Sequence, residues 1–224
     1  TGFEALVRWQ NPQRGLLHPS AFIHLVEMNE VIHPFTTAVM DLALADKRRL
    51  HDLGYTQPVA INLSARNLMD PRYVTRLADA IARHGIPAQE VELELTETAL
   101  MHDPDSSIAL LQEITAMGVN IAVDDFGTGY SSLTYLRRLP LSALKIDHSF
   151  VMGMNSNTQD AIIVRSTVAL AHSLGLRVIA EGVETAETLA QLAGMGCEQA
   201  QGFYLGLPLG FDMLLAWLQN HRDA

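Results

Sequence analysis

Val119-Asn120-Ile121-Ala122-Val123-Asp124-Asp125-Phe126-Gly127-Thr128-Gly129-Tyr130-Ser131-Ser132 is an apolar, strand-like run that ends on two adjacent carboxylates and passes into a glycine loop. An ionised carboxylate is costly to desolvate, so a pair of them at a strand end demands a partner. A divalent metal is the simplest partner for two, and it implies further oxygen ligands elsewhere in the chain. Whether this stretch belongs to such a site turns on how the other strands end.

Similar strand-like runs recur at 3–9, 59–63, 91–95, 119–123, 143–146, 177–180 and 199–203. Between them lie segments with helical spacing, at 20–28, 36–53, 73–84, 106–117, 160–174, 185–192 and 211–221. Several of these end on glycine, as at Leu53-Gly54, His84-Gly85 and Met117-Gly118. Strands alternating with helices predict a parallel sheet with crossover helices. No Pro- or Ser-rich linker divides the chain, which predicts one domain over 1–224. An open doubly wound sheet would place its ligand at one crevice, whereas a closed barrel collects polar residues from many strand ends at one mouth. Here Arg8, Asn62, Glu94, Asp124, Lys145, Glu181 and Gln201 each close a strand, and that distribution favours a (β/α)8-type barrel.

Each of these residues has a plainer role open to it. Positions 4, 6 and 8 share one strand face, so Glu4 and Arg8 point the same way and an ion pair between them is a simple alternative. Asn62 is placed to cap a turn. Glu92 and Glu94 share parity, which fits a solvated face. Lys145 is placed to pair with Asp147, Glu181 to sit at a helix N-terminus, and Gln201 to cap the last strand. Taken together these alternatives leave seven unrelated polar strand ends, where one metal-centred site supplies a single cause.

Glu4-Ala5-Leu6 resembles the signature of the EAL domain, a bacterial cyclic-di-GMP phosphodiesterase family. The resemblance continues, in order, through Asn62-Leu63-Ser64, Glu94-Leu95-Thr96-Glu97, the stretch from Asp124 to Ser132, Lys145-Ile146-Asp147, Ala180-Glu181-Gly182-Val183-Glu184 and Gln201-Gly202-Phe203. It implies a modified (β/α)8 barrel and hydrolysis of cyclic di-GMP to linear pGpG with two ions of Mg2+ or Mn2+. By the same resemblance Glu4, Asn62, Glu94, Asp124, Asp125 and Glu181 would hold the metal, and Lys145 and Gln201 would contact the attacking water. Arg8, Leu6 and Asp147 would meet the substrate. Glu97 and Glu184 would support the loop containing Gly127, Thr128 and Gly129. Two ions about 3.5–4 Å apart lower the pKa of a water and stabilise the departing oxygen, and hard Mg2+ or Mn2+ suits an oxygen donor set. A lysine among cations is expected to have a lowered pKa. The resemblance further implies a homodimer formed near the loop after Asp125 and fusion to sensor or diguanylate cyclase domains.

Composition sets limits on the rest. The formal charge of the 224 residues is −10, and no basic run exceeds Lys47-Arg48-Arg49, which argues against binding long duplex nucleic acid or an anionic membrane. No segment reaches the roughly 18 uninterrupted apolar residues of a membrane span. A single cysteine, Cys197, excludes an internal disulfide and suits a cytoplasmic setting. Asp125-Phe126-Gly127 spells a kinase metal motif, but the other kinase signatures are absent. Gly194-Met195-Gly196 lacks the third glycine of a dinucleotide fingerprint.

Two features depart from the family pattern. The chain starts almost at the Glu-Ala-Leu strand, about one strand later than the family's domains, so the barrel is expected to lack its first strand. Leu207 precedes Pro208 where many relatives carry a basic residue. The alternative to a phosphodiesterase is a catalytically inactive cyclic-di-GMP receptor. The retention of every ligand position favours the enzyme.

Overall fold

In a computed structural model, which describes residues 1–101, 103–129 and 133–221, seven parallel strands curl into one sheet. They are β1 (Phe3–Ala5), β4 (Val59–Asn62), β5 (Val91–Thr96), β6 (Asn120–Phe126), β7 (Ala143–Ile146), β8 (Arg177–Ala180) and β9 (Gln199–Ala200), hydrogen-bonded in that order. A two-stranded antiparallel ribbon, β2 (Trp9–Asn11) and β3 (Gly15–Leu17), stands apart from the sheet. Helices α1 (Ile23–Glu27) and α2 (Ile32–Asp52) lead from the ribbon to β4. Helices α3 (Ala65–Leu68) and α4 (Tyr73–His84) cross to β5, and α5 (Glu97–Met101) and α6 (Pro104–Ala116) cross to β6. The chain then runs through α7 (Leu133–Leu136) to β7, and through α8 (His148–Gly153) and α9 (Thr158–Ser173) to β8. Helix α10 (Ala186–Gly194) precedes β9, and α11 (Phe211–Asn220) follows it. The curled sheet with its helices is a TIM-like α/β fold short of one strand, as the strand ends predicted. β1 and β9 form no ladder with each other among the described residues.

Alternation along the strands separates two environments. Outward-pointing Ile61, Leu93, Leu95, Ile121, Val123, Leu144 and Ile146 are buried against the helices and make up most of the apolar core. Inside the curl the apolar residues are few. Ala122, Ala143 and Ile179 form their own cluster, and most of the remaining inward positions are polar. Asn62 lies opposite Glu94, and Glu94 opposite Ala122, so neighbouring strands deliver their inward side chains at the same height.

Two strands are shorter than their sequence patterns predict. The run 3–9 leaves the sheet after Ala5, because Asn11 draws residues 9–17 into the ribbon: its Oδ1 accepts from Gln13 N at 2.9 Å and Arg14 N at 3.0 Å. The run 199–203 stops at Ala200. Beyond it Gly202 presses so close to Val183 that an added Cβ would lie 2.2 Å from the Val183 carbonyl oxygen. Tyr204 N then donates to Val183 O at 3.0 Å, which turns the chain out of the ladder.

Candidate functional site

The placement of the Asp124-Asp125 carboxylate pair depends on a break in β6. In a regular strand Asp124 and Asp125 would point to opposite faces. The β6–β7 register shifts between Val123 and Phe126, and Asp125 takes φ +53°, the one positive φ outside glycine among the described residues. This bulge turns both carboxylates toward the mouth. Oxygens of Asp124, Asp125 and Glu181 all lie within 4.8 Å of one another.

Lys145 stands at the centre. Its side chain is 1% exposed, and Nζ lies 2.6 Å from Glu181 Oε1, 2.8 Å from Glu94 Oε2, 3.3 Å from Asp124 Oδ1 and 4.0 Å from Glu4 Oε2. Glu4 spans the gap between β1 and β9: its Oε1 accepts from Asn62 Nδ2 at 2.9 Å and its Oε2 from Gln201 Nε2 at 2.6 Å. All seven strands of the sheet, within them or at the residue just after, thus contribute to one cluster, and a side-chain bridge joins the two sheet edges that no ladder joins. The plainer roles weighed for Asn62, Glu94, Lys145, Glu181 and Gln201 give way to these contacts.

Electrostatics marks the cluster as short of positive charge. Five carboxylates, Glu4, Glu94, Asp124, Asp125 and Glu181, face one ammonium, a formal excess of four negative charges. Burial, with repulsion from Glu4 and Asp124, pushes Glu94 up to about 8 against the pull of Lys145. Burial and the charges of Asp124 and Glu4 likewise push Glu181 up to about 7. Burial and the neighbouring Asp124 and Asp147 raise Asp125. In the metal-free centre burial lowers Lys145, but Glu94, Glu181, Glu4 and Asp124 together outweigh it and hold the ammonium above its ordinary value; the lowering expected of a lysine among cations concerns the metal-loaded centre.

Several flanking residues differ from expectation. Because β1 ends at Ala5, strand parity does not reach Arg8, which makes no ion pair with Glu4; its Nη1 donates to Val7 O at 2.9 Å. Leu6 sits at the rim, 40% exposed. Asp147 is buried and makes no ion pair with Lys145. Its carboxylate accepts from Ser149 N at 3.0 Å, from Ser149 Oγ and from His148 Nδ1 at 3.0 Å, which, against the cost of burial, keeps it below the usual range. Glu92, on the same face as Glu94 but one pleat deeper, pairs with Arg177 Nη2 at 2.9 Å. Glu97 accepts from Gly127 N at 3.1 Å and Gly129 N at 3.3 Å, and Thr128 Oγ1 donates to Asp125 O at 2.9 Å. Glu184 is exposed, with no side-chain hydrogen bond to another described residue. Tyr130, Ser131 and Ser132, the end of the glycine-loop motif, lie outside the described residues. Sequence reasoning passed over Ser149 and His148, which read as ordinary first-turn helix residues yet hold Asp147 in place.

Around Lys145 the side chains at the centre are five carboxylates and two amides, and no His or Cys belongs to the group of oxygens around Asp124. Such a set fits Mg2+ or Mn2+ better than zinc. Fold and site together define a β/α-barrel protein with an acidic, cation-seeking centre at the C-terminal ends of its strands. A family model described as EAL domain matches residues 1–208, and the chain belongs to that family.

Among relatives, the cyclic di-GMP phosphodiesterase NbdA of Pseudomonas aeruginosa is 44% identical over 220 residues, 98% of this chain and 28% of its own length. The bifunctional diguanylate cyclase/cyclic di-GMP phosphodiesterase MucR of the same organism is 43% identical over 96% of this chain and 32% of its own. The chain therefore spans less than a third of either protein. Among solved structures, the PaMucR phosphodiesterase in complex with c-di-GMP superposes with a TM-score of 0.92 at 42% identity, covering 95% of this chain and 87% of that one. The EAL enzyme Bd1971, bound to cAMP and cyclic di-GMP, gives 0.93 at 35% identity over 97% of this chain and 60% of that one.

Proposed function

We propose that this chain, read as one domain over 1–224, hydrolyses cyclic di-GMP to linear pGpG with Mg2+ or Mn2+. The observation that carries the proposal is the ring of five buried or half-buried carboxylates around the buried Lys145, four negative charges in excess, at the mouth of an EAL fold. Glu4, Asn62, Glu94, Asp124, Asp125 and Glu181 would hold the ions. Bound there, a pair of divalent ions supplies Lewis acidity that activates water and stabilises charge on a leaving oxygen.

The chain's own residues do the remainder. Lys145, within 3.3 Å of both Glu181 and Asp124, donates hydrogen bonds into the space where a nucleophilic water is held. Gln201 and Glu4, bonded to each other, fix the opposite wall of that space. Arg8 offers a guanidinium to a phosphate, and Leu6 an apolar contact at the rim. Asp147 lines the side next to Asp125, while Glu97 gathers the 127–129 backbone. In forming pGpG the P–O3′ bond breaks, the water oxygen ends on phosphorus and a proton ends on the 3′ oxygen.

The wider expectations rest on family membership: a homodimer near the loop after Asp125, fusion to sensor or cyclase domains, and a cytoplasmic setting. No described helix is long and apolar enough to cross a membrane. The test is a substrate comparison with Mn2+, using cyclic di-GMP, a linear dinucleotide and bis(p-nitrophenyl) phosphate. Rapid loss of cyclic di-GMP alone supports the proposal. Equal turnover of all three substrates refutes its substrate assignment, and binding of cyclic di-GMP without turnover establishes the receptor alternative.

A further inference from the structure

The first turn of α8, with its cap Asp147, is wedged between the end of β6, which carries Asp125, and the loop after β8, which carries Glu181, and three contacts define the wedge. Asp147 meets Asp125 side chain to side chain. Two residues beyond Asp125, Gly127 lies under the Phe150 ring, where an added Cβ would come within 2.9 Å of Phe150 Cε2. On the other side Gly182, directly after Glu181, packs on His148, where an added Cβ would come within 2.7 Å of His148 Cβ and 3.2 Å of its Cα. Both glycines have positive φ, +102° and +71°, so each loop is bent to fit the same short turn. His148 is tied in turn to Asp147 through its Nδ1, although its side chain is 61% exposed.

Given the function proposed above, we infer that the turn from Asp147 to Phe150 sets the spacing between the two halves of the carboxylate centre, with His148 and Phe150 as its positioning residues. Phe150 acts through Gly127 on the bulge that carries Asp125. His148 acts through Asp147 on Asp125 and through Gly182 on Glu181. Residues that orient metal ligands from outside change metal affinity or activity by about 10–100-fold when altered.

The experiment is calorimetric titration of the full chain with Mn2+ in the absence of nucleotide, beside thermal unfolding in EDTA. The variants are Phe150→Ala, Phe150→Leu, His148→Ala and His148→Asn, the last keeping a donor near the position of Nδ1. Weakening by about tenfold or more is expected in Phe150→Ala and His148→Ala, with partial recovery in Phe150→Leu and His148→Asn. His148→Ala should unfold in EDTA at the wild-type temperature, which separates positioning from folding. If Phe150→Ala fails to fold, the exposed His148 and the volume-retaining Phe150→Leu still decide. Mn2+ binding within twofold of wild type in both Phe150→Leu and His148→Ala overturns the inference. Absence of Mn2+ binding by the wild type is a separate result that brings down the proposed function and this inference with it.

Discussion

Raising the pH of the metal-free protein should destabilise it, and divalent metal should reverse the loss. Glu94 is pushed from 4.5 to about 8 and Glu181 from 4.5 to about 7. A carboxyl with a raised folded pKa binds its proton more tightly in the folded state. The fold is therefore favoured in acid and loses stability as pH rises from the ordinary value of 4.5 up through the two folded values. At 1.36 kcal/mol per pH unit, Glu94 alone corresponds to roughly 5 kcal/mol and Glu181 to roughly 3. Both lean on the same lysine, so their effects overlap, and a net fall of about 3–5 kcal/mol between pH 5.5 and 8.5 is expected. The carboxyls held low, such as Asp70 and Asp147, titrate below this window and leave the slope unchanged. For a chain of this length the fall is a drop of roughly 10 °C in Tm. The assay is thermal or urea unfolding in EDTA across that range. Mn2+ at 100 times its Kd should restore about 2.7 kcal/mol at pH 8.5. Stability that stays flat in EDTA, or that falls equally in a Glu94→Gln/Glu181→Gln double variant, would refute the reasoning.

Further expectations concern single residues. Glu4→Ala and Glu181→Ala should each abolish hydrolysis, read as nucleotide turnover. Lys145→Ala should cut turnover far more than nucleotide affinity, and stripping four carboxylates of a buried partner should cost the metal-free fold about 3–5 kcal/mol at pH 8.5. Glu97→Gln keeps the shape but weakens the acceptor shared by Gly127 and Gly129, so kcat should fall about tenfold with little change in Tm.

Much of the centre was legible in the sequence because barrel sites draw on strand ends, and Asn62, Glu94, Asp124, Lys145 and Glu181 each close an apolar run. Asp125 was legible only as a neighbour of Asp124. Alternation alone would have sent it to the other face, and the bulge that brings it back has no signal in residue type. Arg8 shows the opposite failure, since parity from Glu4 assumed a strand that Asn11 diverts into a ribbon. The lowering expected of Lys145 concerns a centre that holds cations; without them the surrounding carboxylates hold the lysine above its ordinary value. The side-chain bridge from Glu4 to Gln201 spans 197 positions, beyond any local pattern. Phe150 is an apolar residue in the first turn of a helix and reads as core; only its approach to Gly127 sets it apart.

The most direct test of the central claim is chromatography of cyclic di-GMP incubated with this protein in Mg2+, in Mn2+ and in EDTA. The carboxylate ring around Lys145 predicts pGpG in the metal-containing samples and intact cyclic di-GMP in EDTA. Intact nucleotide under all three conditions, or pGpG formed as readily in EDTA, would contradict it.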